Sequence, residues 1–105
     1  MEIEKIKNEE GKCVYNIKGR IDTQTAPELQ EAIDKSFGSG ETNLIFNFDK
    51  VEYLSSAGLR TILYTQKKIN TLENSSFEII NVPQQIMEVI EMTGFNDIIK
   101  VTPAE

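Results

Sequence analysis

The sequence predicts a single α/β domain: a mixed sheet of four to five strands covered by helices, in the order β-β-α-β-α-β-α-β. Two observations predict it. Short stretches whose apolar residues alternate with period two give way, along the chain, to longer ones with a period near 3.6. Connections of helical length join strands that run parallel, and do so through right-handed crossovers. A chain of 105 residues suits one thin core, and no linker, repeat or low-complexity run divides it, so residues 1–105 are read as one domain.

Residues 2–7 form the weakest strand candidate, because Ile3 and Ile6 fall out of strict alternation. Asn8-Glu9-Glu10-Gly11 supplies turn chemistry, and Cys13, Tyr15 and Ile17 then alternate with polar Asn16 and Lys18, which reads as a hairpin. Thr25-Ala26-Pro27-Glu28 has the pattern of a capping box, with Pro27 in the first turn where its missing N–H costs little. Ala26, Leu29, Ala32, Ile33 and Phe37 share one face of the helix that follows, and Gly38-Ser39-Gly40 ends it. Asn43 to Asp49 reads as a central strand with Leu44, Phe46 and Phe48 on one face. The second helix follows Ser55-Ser56-Ala57-Gly58, carries Leu59, Ile62, Leu63 and Ile69, and runs to about Thr71. Ser76 to Val82 is another strand. Pro83 opens the third helix and Gly94 stops it, with Ile86, Met87, Val89 and Ile90 apolar, and Met87, Ile90, Met92 and Phe95 assigned to the core. Asp97 to Val101 reads as a short edge strand.

Composition narrows the chemistry. The chain has no histidine, so no Ser-His-Asp or Cys-His arrangement and no imidazole metal site exists, and no metal or other cofactor is expected. It carries no Gly-rich phosphate loop of the nucleotide-binding kinds. A formal charge of −6 with dispersed basic residues repels phosphate backbones and anionic lipid heads, so neither nucleic acid nor membrane is expected as a partner. With no apolar run near the roughly 18 residues of a membrane span and no signal-peptide pattern at the start, a cytoplasmic location is expected. Cys13 sits alone in an alternating run and reads as a small buried hydrophobe.

The segment Leu54-Ser55-Ser56-Ala57-Gly58-Leu59-Arg60 carries the functional signal. Serine is a preferred N-cap, so one of Ser55 and Ser56 caps the second helix. A helix start also presents free amides and the positive end of the dipole, which favour an added phosphate by about 0.3–1 kcal/mol. Gly58 costs about 1 kcal/mol relative to alanine within a helix. Its missing Cβ therefore invites a reason, either close approach of a partner or a helix that starts one residue later.

On Gly19-Arg20-Ile21-Asp22, Asn47-Phe48-Asp49 to Tyr53, Ser55-Ser56-Ala57-Gly58-Leu59, Val82-Pro83 and Thr93-Gly94-Phe95, the chain resembles the STAS domains. These are shared by bacterial anti-sigma factor antagonists and the cytoplasmic tails of sulphate transporters, and the resemblance runs essentially end to end. It implies a protein-binding switch rather than an enzyme. In the antagonists, a serine of the helix-two motif is phosphorylated by a partner that is both serine kinase and anti-sigma factor. The unmodified form binds that partner, the phosphorylated form releases it, and a serine phosphatase resets the switch.

Aligned on Gly58-Leu59, the acceptor is Ser56, with Ser55 the alternative. Ser55 stands where the antagonists carry aspartate, and Ala57 where they carry a second hydroxyl. The resemblance places Asp22 on the partner surface, against a plain reading as a turn-forming residue. Thr23 beside it, together with Ser55, Ala57, Gly58 and Arg60, completes the expected partner-binding set, and Arg60 is either a pair for a phosphate on Ser56 or simply solvated. Two rival readings are a non-phosphorylated STAS scaffold subunit of a signalling or lipid-transport assembly, and a small nucleotide hydrolase using Asp22, Asp49 and Ser56.

Overall fold

The computed structural model describes every residue, Met1–Glu105. Its elements are β1 (Glu2–Lys7), β2 (Cys13–Ile21), α1 (Ala26–Gly38), β3 (Asn43–Leu54), α2 (Ser56–Asn70), β4 (Ser76–Val82), α3 (Gln84–Thr93), a 3₁₀ turn (Phe95–Asp97) and β5 (Lys100–Pro103). The five strands form one sheet in the order β1-β2-β3-β4-β5, with β1 antiparallel to β2 and the remaining pairs parallel. This is the expected mixed sheet and the expected element order.

Strand alternation decides where the core lies. Cys13, Tyr15 and Ile17 on β2, Leu44, Phe46 and Phe48 on β3, and Phe77 and Ile79 on β4 are all buried in one cluster. Leu29 and Ile33 of α1, Ile62 and Ile69 of α2, and Ile86, Met87 and Ile90 of α3 join the same cluster. The helices therefore cover one face of the sheet. The alternate residues Asn16 and Asn47 lie on the other face, where the amides form a ladder: Asn47 Nδ2 donates to Asn16 Oδ1 (2.9 Å) and Asn81 Nδ2 to Asn47 Oδ1 (3.1 Å).

Aromatic packing anchors the centre. The Phe46 ring lies 5.2 Å from that of Tyr15 and meets Phe77 edge-on at 4.8 Å between centroids. The Tyr15 hydroxyl donates to the Ala32 carbonyl (2.8 Å) and bonds to Ser36 Oγ, so its polar end is satisfied inside the core. Cys13 is buried as expected, and desolvation raises its thiol pKa.

Four expectations are corrected. The central strand continues past Asp49 to Leu54 because β2 and β3 stay paired through two register shifts. At each shift β3 gains one residue on its neighbour, which carries its polar Asp49, Lys50 and Glu52 outward and returns Val51 and Leu54 to the core. Thr25 does not make a capping box: its backbone is already helical, and its hydroxyl is turned back into the preceding loop. The last strand starts at Lys100 rather than Asp97, since the chain leaving the left-handed Gly94 cap (φ 75°) winds the 3₁₀ turn first. Met92 is not core but 88% exposed, because it lies two residues beyond buried Ile90, on the far side of α3.

Removing the Phe46 ring should therefore cost more than any surface change. Phe46→Ala is expected to lower the unfolding free energy by about 3–5 kcal/mol, read as a drop in the urea midpoint at unchanged slope. A loss below about 1 kcal/mol would show that the cluster is not organised around this ring.

Candidate functional site

The C-terminal ends of β2 and β3 and the N-terminal ends of α1 and α2 converge at one edge of the sheet. Register sets the convergence: Ile21 pairs with Leu54, and the N–H of the next residue, Ser55, donates to the Ile21 carbonyl at 2.9 Å. Ser55 has extended backbone and is the N-cap of α2, its Oγ accepting the Gly58 N–H at 3.3 Å. Ser56 is the first helical residue, and it is exposed. The amides of Ser56 and Ala57 have no carbonyl one turn back, so they face outward with the positive end of the dipole.

Gly58 has a packing reason rather than the expected access for a partner. A Cβ here would stand 2.6 Å from Leu54 Cδ1, 2.8 Å from Ile21 Cγ2 and 3.0 Å from the Ile21 carbonyl oxygen. The glycine is buried, and the helix begins before it. Its role is to let α2 approach the ends of β2 and β3.

Asp22 organises the loop before α1. Its Oδ1 accepts the N–H groups of Gln24 (3.0 Å) and Thr25 (3.1 Å), and its carbonyl accepts from Ala26 N–H (2.8 Å). Thr25 Oγ1 accepts the Asp22 N–H (2.9 Å) and donates to the Arg20 carbonyl (2.7 Å). Asp22 thus forms the turn, while its second oxygen faces Arg20 Nε at 3.5 Å. Desolvation pushes its pKa up, but the Thr25 and Gln24 amides, the Thr25 hydroxyl and Arg20 together outweigh it, and the net shift is downward.

Thr23 is exposed on this loop. Between the starts of α1 and α2 lies an open depression of about 400 Å³, lined by Thr23, Pro27 and Gln30 on one side and Ala57 and Arg60 on the other. Arg60 lies one turn after Ser56, so the two side chains share the solvent-facing side of α2. The structure therefore brings Asp22, Thr23, Ser55, Ser56, Ala57 and Arg60 to one surface, with Gly58 beneath it. Asp49 points into solvent from the middle of β3 and bonds locally, its N–H donating to Asn47 Oδ1 (3.1 Å).

Sequence reasoning missed one pair. Arg20 and Tyr53 are cross-strand partners, and the guanidinium lies over the Tyr53 ring, 4.2 Å from its centroid. They are 33 residues apart and meet only through the register shift between Gly19 and Arg20, a position marked in the sequence by glycine alone.

The STAS domain family profile matches residues 2–105. The anti-sigma-B factor antagonist of Staphylococcus aureus is 30% identical over 89 residues, covering 83% of this chain and 82% of the relative. The crystal structure of an anti-sigma factor antagonist from Mycobacterium paratuberculosis superposes with a TM-score of 0.84 at 25% identity, covering 97% of this chain and 86% of the other. The Bacillus cell fate determinant SpoIIAA, solved in its phosphorylated form, shares the fold at a TM-score of 0.73 and 15% identity, over 95% of this chain and 90% of the other.

Two tests address this edge. Gly58→Ala should cost about 1–3 kcal/mol through overpacking, less a gain of about 1 kcal/mol in helix propensity, for a net loss of up to about 2 kcal/mol. A stabilised variant in chemical denaturation would refute the close-packing role. Because the folded pKa of Asp22 is depressed, its contribution to stability is full above the ordinary carboxylate range. It is lost as pH falls through the lower, folded value. In an NMR pH titration the Gln24 and Thr25 amide shifts should move together below that range. Movement at the ordinary value of 3.8 would show that the carboxylate is not held as described.

Proposed function

We propose that this chain, which belongs to the STAS domain family, is an anti-sigma factor antagonist: a binding module rather than an enzyme, switched by phosphorylation of Ser56. One observation carries the choice of residue. Of the two adjacent serines, Ser55 is half-buried with its Oγ engaged as the helix cap, while Ser56 is exposed at the first helical position. The 30%-identical relative named as an anti-sigma-B factor antagonist supports the role, and a relative of the same fold solved in phosphorylated form supports the kind of control.

In this reading the unmodified edge, with Asp22, Thr23, Ser55, Ser56, Ala57 and Arg60, docks onto a cytoplasmic anti-sigma factor that is also a serine kinase. The kinase passes the terminal phosphoryl group of ATP to Ser56 Oγ. The bond to the ADP oxygen breaks, the bond to Oγ forms, and the hydroxyl proton leaves to solvent or a kinase base. The phosphate adds nearly two negative charges and three acceptor oxygens to a surface that was closed against the partner. The complex then separates through desolvation and repulsion. A serine phosphatase hydrolyses the ester and restores the binding form. The two backbone amides at the start of α2 and Arg60 hold the phosphate once it is made.

Ser56→Ala should bind the anti-sigma factor irrespective of ATP, and Ser56→Asp should weaken binding by about 10-fold or more. Incubation with the anti-sigma factor and ATP should add one phosphate to the peptide holding Ser56, read by mass spectrometry. Tight binding by Ser56→Asp, or phosphate on Ser55 instead, would overturn the assignment.

A further inference from the structure

The partner surface does not end at the serine turn. Arg20 and Tyr53 continue it around the sheet edge, since their neighbours Ile21 and Leu54 lead directly into Asp22 and Ser55. Tyr53 is 43% exposed, one of few large apolar side chains in the open. Arginine and tyrosine are the residue types over-represented where protein interfaces draw most of their affinity.

The arginine is preorganised. The Tyr53 ring lies beneath the guanidinium carbon, 4.2 Å away at its centroid, and Asp22 holds the group through Nε at 3.5 Å. The Arg20 carbonyl is fixed as well, by the Thr25 hydroxyl. The Arg20 side chain is 59% exposed and its ion pair uses Nε, so the two terminal nitrogens keep no protein partner and can take a carboxylate bidentately. An arginine already held in place loses little side-chain freedom on binding. The surrounding charge sharpens the effect. In a chain with formal charge −6, this edge gathers two cations, Arg60 and Arg20, and Arg20 is the one that Asp22 and Tyr53 hold in place for a partner to read.

We propose that Arg20, stacked on Tyr53, selects the partner by taking a carboxylate that the anti-sigma factor presents beside the serine turn. This rests on the reading of the chain as an antagonist. Tyr53 acts through the arginine as a positioning residue, and Asp22 couples the pair to the loop it organises.

The probe is the anti-sigma factor whose binding is weakened by Ser56→Asp. Arg20→Glu should weaken its binding to the unmodified chain by about 10- to 100-fold. Arg20→Lys should recover only part of it, because a lysine keeps the charge and loses the planar fork. Tyr53→Phe, which keeps the ring, should bind as the parent does, whereas Tyr53→Leu should fall by several-fold. Affinity should drop less steeply with added salt in Arg20→Gln than in the parent, as loss of an ionic contact requires. Exchanging the facing carboxylate of the anti-sigma factor for lysine should restore binding to Arg20→Glu. Thermal unfolding of each variant reports any loss of fold, and Arg20→Lys keeps the test meaningful if Arg20→Glu unfolds. If Ser56→Asp releases the anti-sigma factor but Arg20→Glu and the parent bind equally, with the same salt dependence, the inference is overturned and the antagonist reading stands. If Ser56→Asp releases no anti-sigma factor, both fall together.

Discussion

Everything at the functional edge depends on how closely α2 approaches the ends of β2 and β3. The Ile21 carbonyl takes the Ser55 N–H at 2.9 Å, and three residues on, Gly58 leaves no Cβ to meet Ile21 and Leu54. These two contacts set both the position and the rotation of the first helical turn. With Gly58 turned inward, Ser56, two residues before it, is turned outward. The exposed hydroxyl is thus a consequence of buried packing. A side chain at residue 58 would push the turn away from the sheet and turn the hydroxyl with it.

The same logic joins the two loops. Asp22 spends one carboxylate oxygen and its carbonyl on closing its own turn, which positions the start of α1 without help from a cap at Thr25. Its other oxygen reaches Arg20, which rests on Tyr53 from the neighbouring strand. The loop before α1, the end of β3 and the start of α2 therefore form one connected surface. The turn reading of Asp22 and the partner-surface reading are compatible, because the residue that shapes the edge also lies on it.

Much of the fold was legible because its core faces are periodic. Leu44, Phe46 and Phe48 alternate without interruption, as do Cys13, Tyr15 and Ile17, and Gly94 closes α3 in the left-handed conformation that favours glycine. What stayed hidden was what periodicity does not encode. Polar Asp49, Lys50 and Glu52 break the pattern of β3, and only pairing with β2 through two register shifts carries that strand on to Leu54. Thr61 and Thr65 of α2 carry no apolar signal, yet both are buried, their hydroxyls donating to the carbonyls of Ala57 and Thr61. At the site, the serine motif and Asp22 were visible as local patterns. The inward role of Gly58 and the stacking of Arg20 were not, because each depends on residues brought together by the sheet.

Ser55 also resolves an apparent conflict in the motif. Where the antagonist pattern places an aspartate, this chain has a neutral residue that caps α2 equally well, its Oγ accepting the Gly58 N–H. A carboxylate there would place a negative charge beside any phosphate on Ser56, a repulsion of about 1 kcal/mol for unit charges at 4 Å in water and more at a partly closed surface. The neutral cap removes that repulsion from the phosphorylated state and leaves the positive helix end unneutralised. Under the proposed switch it would equally remove a charge beside the acceptor from the surface offered to a kinase. The first effect belongs to the stability of the product, the second to the rate of its formation, so they do not oppose one another. Under the proposed switch, a phosphate on Ser56 would thus be easier to hold, and recognition before transfer would draw on other charged groups of the same edge. Arg60 lies one turn along α2, and Arg20 is fixed beside Asp22 at the end of the neighbouring strand.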